Sequence, residues 1–250
     1  MLSKTHFSYI RSLHLKKNRD AENVFIAEGS KVVMELLVSG NFLCRELIAV
    51  AGWYGQYANA GLQAGTARVS VADPGQLNAL SLLKANRDVI AIFEKNNSSA
   101  QISHSPFTLM LNGIRDPGNL GTIIRIADWF GIGTLVCSPG TADCYNPKVV
   151  QSAMGSLARV SVVYTDPVGW IQAHAPMPVF AAVVGGMPVS SAGQVGSGLL
   201  IIGSESQGID PSLLALATVR IGIPGAGKAE SLNAAVATGI ILSHLIQFRV

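Results

Sequence analysis

The first twenty positions, MLSKTHFSYIRSLHLKKNRD, mix basic and apolar residues in a pattern that predicts a helix to about residue 20. Val24–Ala27 then reads as a short strand, followed by a helix over Lys31–Val38 with Ser30 as its cap and Gly40 as its stop. CRELIAV (44–50) and Arg68–Val71 are further strands, separated by a helical stretch from Trp53 to Ala64. Asp73-Pro74 opens another helix, with an acidic cap and proline at the first helical position. Asp88–Phe93 is again a strand. This alternation predicts a small α/β unit.

Residues 95–106, KNNSSAQISHSP, are polar and end in proline, as linkers do. The expected division is a first domain at 1–96, a linker at 97–106 and a second domain at 107–250. The second begins with the apolar strand FTLMLNGI (107–114), a turn through RDPGNLG, and a helix from Leu120 to Phe130 stopped by Gly131. Strands follow at 134–138, Val160–Tyr164, Val179–Val184, Leu199–Ile202 and Val219–Ile223. Helices are expected at Lys148–Leu157, Val168–His174 and Pro211–Ala217, with a last one opening at Glu230-Ser231 and running to the C-terminus. The strands are continuous Val/Ile/Leu runs, which predicts a parallel sheet buried on both faces. Sites in such sheets gather at the carboxyl ends of the strands. Three of those ends carry glycine and polar clusters, Asn112–Arg125, Gly203–Gly208 and Pro224–Asn233, and these are expected to meet.

Composition narrows the class. With 49% hydrophobic and 13% charged residues in a 250-residue chain, intrinsic disorder is excluded. The net charge of +3 implies mild attraction to polyanions. Arg11, Lys16, Lys17 and Arg19 fall within the first helix and its exit, as a solvated face or as a phosphate-contacting patch. Cys44, Cys137 and Cys144 lack the paired spacing of a zinc site, and an odd number suits a reducing cytoplasm. The histidines are scattered, so no metal site is expected. No signal peptide is evident. The apolar stretch Ala234–Ile246 is interrupted by Thr238, Gly239, Ser243 and His244, and is shorter than the roughly 20 residues of a membrane span.

Gly222–Ala229 comes close to a phosphate-binding P-loop, since it lies between a strand and a helix. Ala229 cannot supply the hydroxyl that ligates magnesium, and Pro224 removes an N–H that such a loop would present. A nucleotide hydrolase is therefore set aside. No G-x-G-x-x-G follows a strand.

Taken together, the three loops resemble the SpoU (TrmH) family of RNA ribose methyltransferases, in the SPOUT superfamily. The motifs are Asp116-Pro117-Gly118-Asn119-Leu120-Gly121 with Arg125, then Leu200 to Gly208 (LIIGSESQG), then Ile223-Pro224 with Glu230-Ser231-Leu232-Asn233. Asn146-Pro147-Lys148 and Ser152–Ser156 are similar to the family's intervening stretch. The first domain is similar, through Phe25–Gly29, to the substrate-binding domain often attached to these enzymes. Departures are Gly225 where a larger residue is usual, Ala235 for a common serine and Gln151 for a frequent arginine.

The resemblance implies S-adenosylmethionine-dependent methylation of a ribose 2′-hydroxyl in RNA, with ribosomal RNA slightly favoured over transfer RNA. It implies a C-terminal parallel sheet with a trefoil knot, a homodimer, and a cytoplasmic protein without DNA or membrane partners. It implies that Gly203, Ile223 and Leu232 bind the cofactor, and that Asn119, Arg125, Glu205, Ser231 and Asn233 form the catalytic set, Glu205 orienting Arg125. Ser231 is also a candidate helix cap. The alternative is a non-catalytic RNA-binding protein that retains the fold, against which the intact polar set speaks.

Overall fold

The central strands of both sheets are apolar at nearly every position, and those strands are covered on both faces. The structure, a computed structural model, describes residues 2–58, 67–82, 88–96 and 105–246. The expected helix end at Ala64, most of the expected linker with His104, and the chain end after residue 246 lie outside the described residues.

Up to residue 96 the elements are α1 (Lys4–Ser12), α2 (Lys16–Glu22), β1 (Val24–Glu28), α3 (Ser30–Ser39), β2 (Cys44–Ala49), α4 (Ala51–Ala58), β3 (Arg68–Val71), α5 (Pro74–Leu80) and β4 (Val89–Glu94). From residue 105 they are β5 (Phe107–Asn112), α6 (Pro117–Trp129), β6 (Thr134–Cys137), α7 (Pro147–Ser152), β7 (Ser161–Tyr164), α8 (Pro167–Ala173), β8 (Val179–Pro188), β9 (Gly198–Gly203), α9 (Pro211–Leu214), β10 (Val219–Gly222) and α10 (Ala234–Leu245). The described residues of Met1–Ser98 with Tyr145–Ala158 form one compact unit, and those of Ser99–Cys144 with Arg159–Val250 form the other.

In the first unit the sheet order is β1-β4-β2-β3, with β4 antiparallel to both neighbours and β3 parallel to β2. Ile10 of α1, Leu13 at its C-terminal cap, and Leu77 and Leu80 of α5 pack on Ile26, Ile48, Ile90 and Ile92. Phe25 faces the other way and meets the rings of Phe42, Phe93 and Tyr145 at 5.2, 5.6 and 4.8 Å. Tyr145 thus anchors α7 against β1, and Asn41 Nδ2 donates to the Ala158 carbonyl at 2.8 Å. Asp73 caps α5 through a reciprocal pair with Gln76, as its sequence predicts.

Three local expectations are corrected. The opening helix is two helices, because Leu13 turns fully into the core and Leu15 is extended. Arg19, only 1% exposed, is not part of a surface patch. Its Nη1 donates to the Leu13 and His14 carbonyls at 3.2 and 2.8 Å, closing the turn between the two helices. Ser30 does not cap α3. Gly29 holds that place at φ 83°, and the Ser30 hydroxyl accepts from Trp53 Nε1 at 2.9 Å.

The second unit's sheet has the order β10-β8-β9-β5-β6-β7, and every pair is parallel. Met110, Val136, Val179, Ala181, Leu199 and Ile201 pack with Ile171 and Leu213 of α8 and α9. Their strand neighbours Leu109, Leu111, Leu135, Leu200 and Ile202 are equally buried, so both faces are covered.

β8 runs past its expected end at Val184. Arg220 pairs with Ala181 but the next residue, Ile221, pairs with Met187, so residues 182–186 loop out of the ladder. The loop is closed by a backbone approach that only glycine allows. A Cβ on Gly186 would lie 2.7 Å from the Ile221 carbonyl carbon, and one on Gly222 would lie 2.7 Å from the Val183 oxygen.

α6 begins at Pro117, a turn earlier than expected, because Asp116 caps it. The stretch from Lys148 to Ala158 is a short α-helix followed by a 3-10 turn, broken at Met154 and Gly155, both at positive φ. α9 stops at Leu214. α10 starts at Ala234, not at Glu230-Ser231: residues 224–233 form an exposed Pro/Gly loop, and the apolar run that can be buried begins only after it. Among the described residues no helix is long and apolar enough to cross a membrane.

Candidate active site

Because the strands of the second sheet are all parallel, Asn112, Gly203 and Gly222 end β5, β9 and β10 on one edge. Asn112 Oδ1 accepts from Asp210 N at 2.7 Å, tying the β5 end to the turn after β9. The chain then enters α6, where Asp116 accepts from Asn119 N at 2.9 Å and Pro117 takes the first helical position. That cap fixes Asn119 in the first turn.

After Gly203 the chain forms a tight loop. Ser204 and Gly208 exchange backbone hydrogen bonds at 3.2 and 2.9 Å, with Gly208 at φ 69°. A Cβ on Gly203 would lie 2.5 Å from Ile209 N and closer still to the Gly208 carbonyl. This loop projects Glu205. The third segment leaves β10 at Gly222, crosses the exposed loop, and enters α10 through Asn233. Asn233 Oδ1 accepts from Ala235 N and Val236 N at 3.0 and 3.3 Å.

The three segments meet in one hydrogen-bonded cluster. Asn119 Nδ2 donates to Glu205 Oε1 at 2.9 Å, and Asn233 Nδ2 donates to the same oxygen at 3.1 Å. Asn233 Nδ2 also donates to Asn119 Oδ1 at 2.8 Å, and Ala234 N donates to Glu205 Oε1 at 3.2 Å. Both amides are therefore oriented by their partners. Glu205 Oε1 holds three donors, while Oε2 meets none among the described residues. A cleft of about 110 Å³ lies beside the cluster, lined by Arg115, Asp116, Asn119, Ser204, Glu205 and Ser206 among others.

The remaining expected residues are placed less tightly. Ser231 is exposed and makes no hydrogen bond among the described residues. The cap it was a candidate for belongs to Asn233, because the helix starts three residues later than expected. Arg125 is exposed on α6, without a hydrogen-bond or ion-pair partner among the described residues. The expected orientation by Glu205 is not seen among the described residues: no hydrogen bond or ion pair joins the two, and Glu205 Oε1 instead takes the two asparagines and the Ala234 amide. Ile223 is half-buried at the exit of β10, and Leu232, 46% exposed, directly precedes Asn233. Sequence reasoning missed Arg115. Its signal was only its place beside the Asp116 cap. Among the described residues no group of three His, Cys, Asp or Glu could hold a metal ion.

Comparison with known proteins fits this geometry. The family model described as SpoU rRNA Methylase family matches residues 106–243, and the MRM3-like substrate binding domain matches residues 5–91. The 23S rRNA (guanosine(2553)-2′-O)-methyltransferase RlmP of Bacillus subtilis is 30% identical over 238 residues, which is 94% of this chain and 93% of that protein. The AdoMet-bound rRNA methyltransferase from Sinorhizobium meliloti is 29% identical, with a TM-score of 0.84 over 97% of this chain and 95% of that one. The SpoU methyltransferase AviRb from Streptomyces viridochromogenes, in complex with AdoMet, is 26% identical, with a TM-score of 0.82 over 96% of each chain. The class is thus an RNA-modifying methyltransferase with an attached substrate-binding domain. The chain belongs to the SpoU rRNA methylase family.

Proposed function

We propose that this protein transfers a methyl group from S-adenosylmethionine to a ribose 2′-hydroxyl of ribosomal RNA. The observation that carries the reading is the convergence of Asn119, Glu205 and Asn233, from three separate turns, in a member of this family. The relatives named for ribosomal RNA favour that substrate over transfer RNA.

The residues present fit the cofactor. Residues 225–232 make no backbone hydrogen bond among the described residues and are exposed, so their N–H and C=O groups are free to bind a ligand's polar edges. Gly203, Ile223 and Leu232 would hold the cofactor, Leu232 giving an apolar side chain and the others backbone groups. Bound there, S-adenosylmethionine supplies an electrophilic sulfonium methyl. The chain's contribution is position and charge. Alignment of the 2′-oxygen is worth up to about 7–11 kcal/mol in well-oriented systems. Glu205 and the two asparagines set the shape of the α6 and α10 starts. Arg125, a guanidinium cation, stabilises the negative charge that develops on the 2′-oxygen as its proton passes to solvent water. Ser231, on the free loop, completes the polar set.

The protein is a homodimer in this reading. Trp129 of α6 and Val236 of α10 are 80% and 51% exposed, and Ile126 meets Gly239 where these two helices pack, which offers an apolar face to a second copy. A trefoil knot is part of the same proposal, supported by the return of α10 to α6 and by the hydrogen bonds from Asn233 and Ala234 to the loop after β9. The first unit holds the RNA, and the protein works in the cytoplasm, where ribosomal RNA is found. Titration calorimetry with S-adenosylmethionine, followed by transfer of labelled methyl to an unmodified ribosomal RNA transcript, tests the reading. Binding with transfer supports it; no binding of S-adenosylmethionine favours an RNA-binding scaffold.

A further inference from the structure

The cleft beside the catalytic cluster contains three charged side chains, and two of them are already engaged. Asp116 is committed to the cap of α6, accepting from Asn119 N at 2.9 Å. Glu205 Oε1 holds Asn119, Asn233 and Ala234. The polar neutral groups are largely engaged too: both ends of the Asn119 amide are used, and Ser204 Oγ accepts from Gln207 N at 3.1 Å. Arg115 differs. It lines the same cleft, it is exposed, and among the described residues it makes no hydrogen bond or ion pair, although Asp116 and Glu205 line the cleft with it.

A guanidinium presents five N–H donors in a planar fork, and its strong match is a pair of oxygens on one anion. The start of the 13-residue helix α6, two positions further along the chain, adds partial positive charge on the same side. Arg115 is thus the one cationic group lining the cleft among the described residues, and the proposed substrate carries a phosphate on each side of every ribose. We infer that Arg115 binds a phosphate of the RNA backbone adjoining the ribose that is methylated. This rests on the proposed methyl transfer and adds to it. Arg115 fixes the register of the strand, while the Asn119–Glu205–Asn233 cluster shapes the place where the 2′-oxygen reacts. The competing anion is the cofactor's own carboxylate. Gly203, Ile223 and Leu232, which would hold the cofactor, follow β9 and β10, whereas Arg115 follows β5.

The test uses the full chain loaded with S-adenosylmethionine and an in vitro ribosomal RNA transcript, comparing wild type with Arg115→Gln and Arg115→Lys. For Arg115→Gln, the RNA KM rises about tenfold at moderate salt, as for loss of a charged hydrogen-bonded contact. The slope of log affinity against log salt falls by about 0.7–0.9, the share of one phosphate. kcat and the dissociation constant for S-adenosylmethionine stay at wild-type values. Arg115→Lys keeps the slope and regains part of the KM. An unchanged KM and salt slope in Arg115→Gln, with wild type methylating normally, overturns this inference alone. Weaker S-adenosylmethionine binding with unchanged RNA binding also overturns it and assigns Arg115 to the cofactor carboxylate. A wild-type protein that neither binds nor methylates the transcript overturns both this inference and the methyl-transfer reading.

Discussion

Asn233 Nδ2 donates to Asn119 Oδ1 at 2.8 Å across 114 positions of sequence, so the cap of α10 and the first turn of α6 are one hydrogen-bonded structure. The same Asn233 caps its own helix through Oδ1, which couples helix stability to the geometry of the cluster. Asn233→Ala is expected to cost about 1 kcal/mol from the lost cap and most of the activity. Asn233→Asp keeps a good cap but sets a carboxylate where an amide had donated to Glu205. Like charges this close raise the pKa of one of them. A folded-state pKa above the unfolded value means the penalty is present at neutral pH and relieved as pH falls. Urea denaturation at about pH 5 and pH 8 should show the Asp variant recovering at the lower pH, and the Ala variant unchanged relative to wild type.

Arg125 has no hydrogen-bond or ion-pair partner among the described residues, so its removal should scarcely touch the fold. Arg125→Ala is expected to stay within about 0.5 kcal/mol of wild type in stability, as surface substitutions do. Its methyl-transfer rate should fall by roughly 10²–10⁴-fold. Single-turnover kinetics and S-adenosylmethionine calorimetry separate the two effects. If cofactor affinity collapses with rate, Arg125 belongs to the cofactor site instead.

Gly203 is confined by backbone, which cannot swing aside as a side chain can. Gly203→Ala would force the end of β9 from Gly208 and Ile209 and displace the loop that carries Glu205. The expected cost is about 1–3 kcal/mol, with cofactor affinity reduced at least several-fold. Thermal melts with and without S-adenosylmethionine measure both, and the ligand-induced rise in Tm should shrink.

In the first unit, Asp20 is bound by Lys16 at 2.6 Å and by Lys95, and these hydrogen bonds, that to Lys16 foremost, lower its pKa to about 2. Because the folded value lies below the unfolded one, its contribution is present above about pH 4 and lost as pH falls towards 2. The side chain is 45% exposed, so solvent screening keeps the contribution below about 1 kcal/mol. Asp20→Asn should be slightly less stable than wild type at pH 7 and indistinguishable near pH 2 by urea denaturation.

Much of the fold could be read along the chain because its signals are local. Continuous apolar runs marked the parallel strands of the second sheet, and Asp73 acts as the cap its sequence suggested. What escaped depends on pairing between distant segments. Nothing near residue 182 announces that five residues leave the ladder, since the cause is the approach of Gly222 to Gly186. The return of residues 145–158 to the first unit rests on Tyr145 meeting Phe25, far away in sequence. At the site, family motifs named Asn119, Glu205 and Asn233, and these are in contact. The expected pairing of Glu205 with Arg125 is not seen among the described residues, where Glu205 Oε1 is held by Asn119, Asn233 and the Ala234 amide. Arg115 escaped because a lone arginine before a capped helix has no pattern of its own; only its place in the folded cleft, without a partner among the described residues, sets it apart.

The central claim is methyl transfer to a ribose oxygen, and the chemistry of RNA offers a direct reading. A free 2′-hydroxyl is needed for alkaline cleavage of the adjoining phosphodiester, so a methylated ribose leaves a gap in the hydrolysis ladder. Ribosomal RNA from cells with and without this protein should differ by such a gap, restored by the wild-type chain and not by Asn233→Ala or Arg125→Ala. Identical ladders, or a methyl group found on a base, would contradict the account.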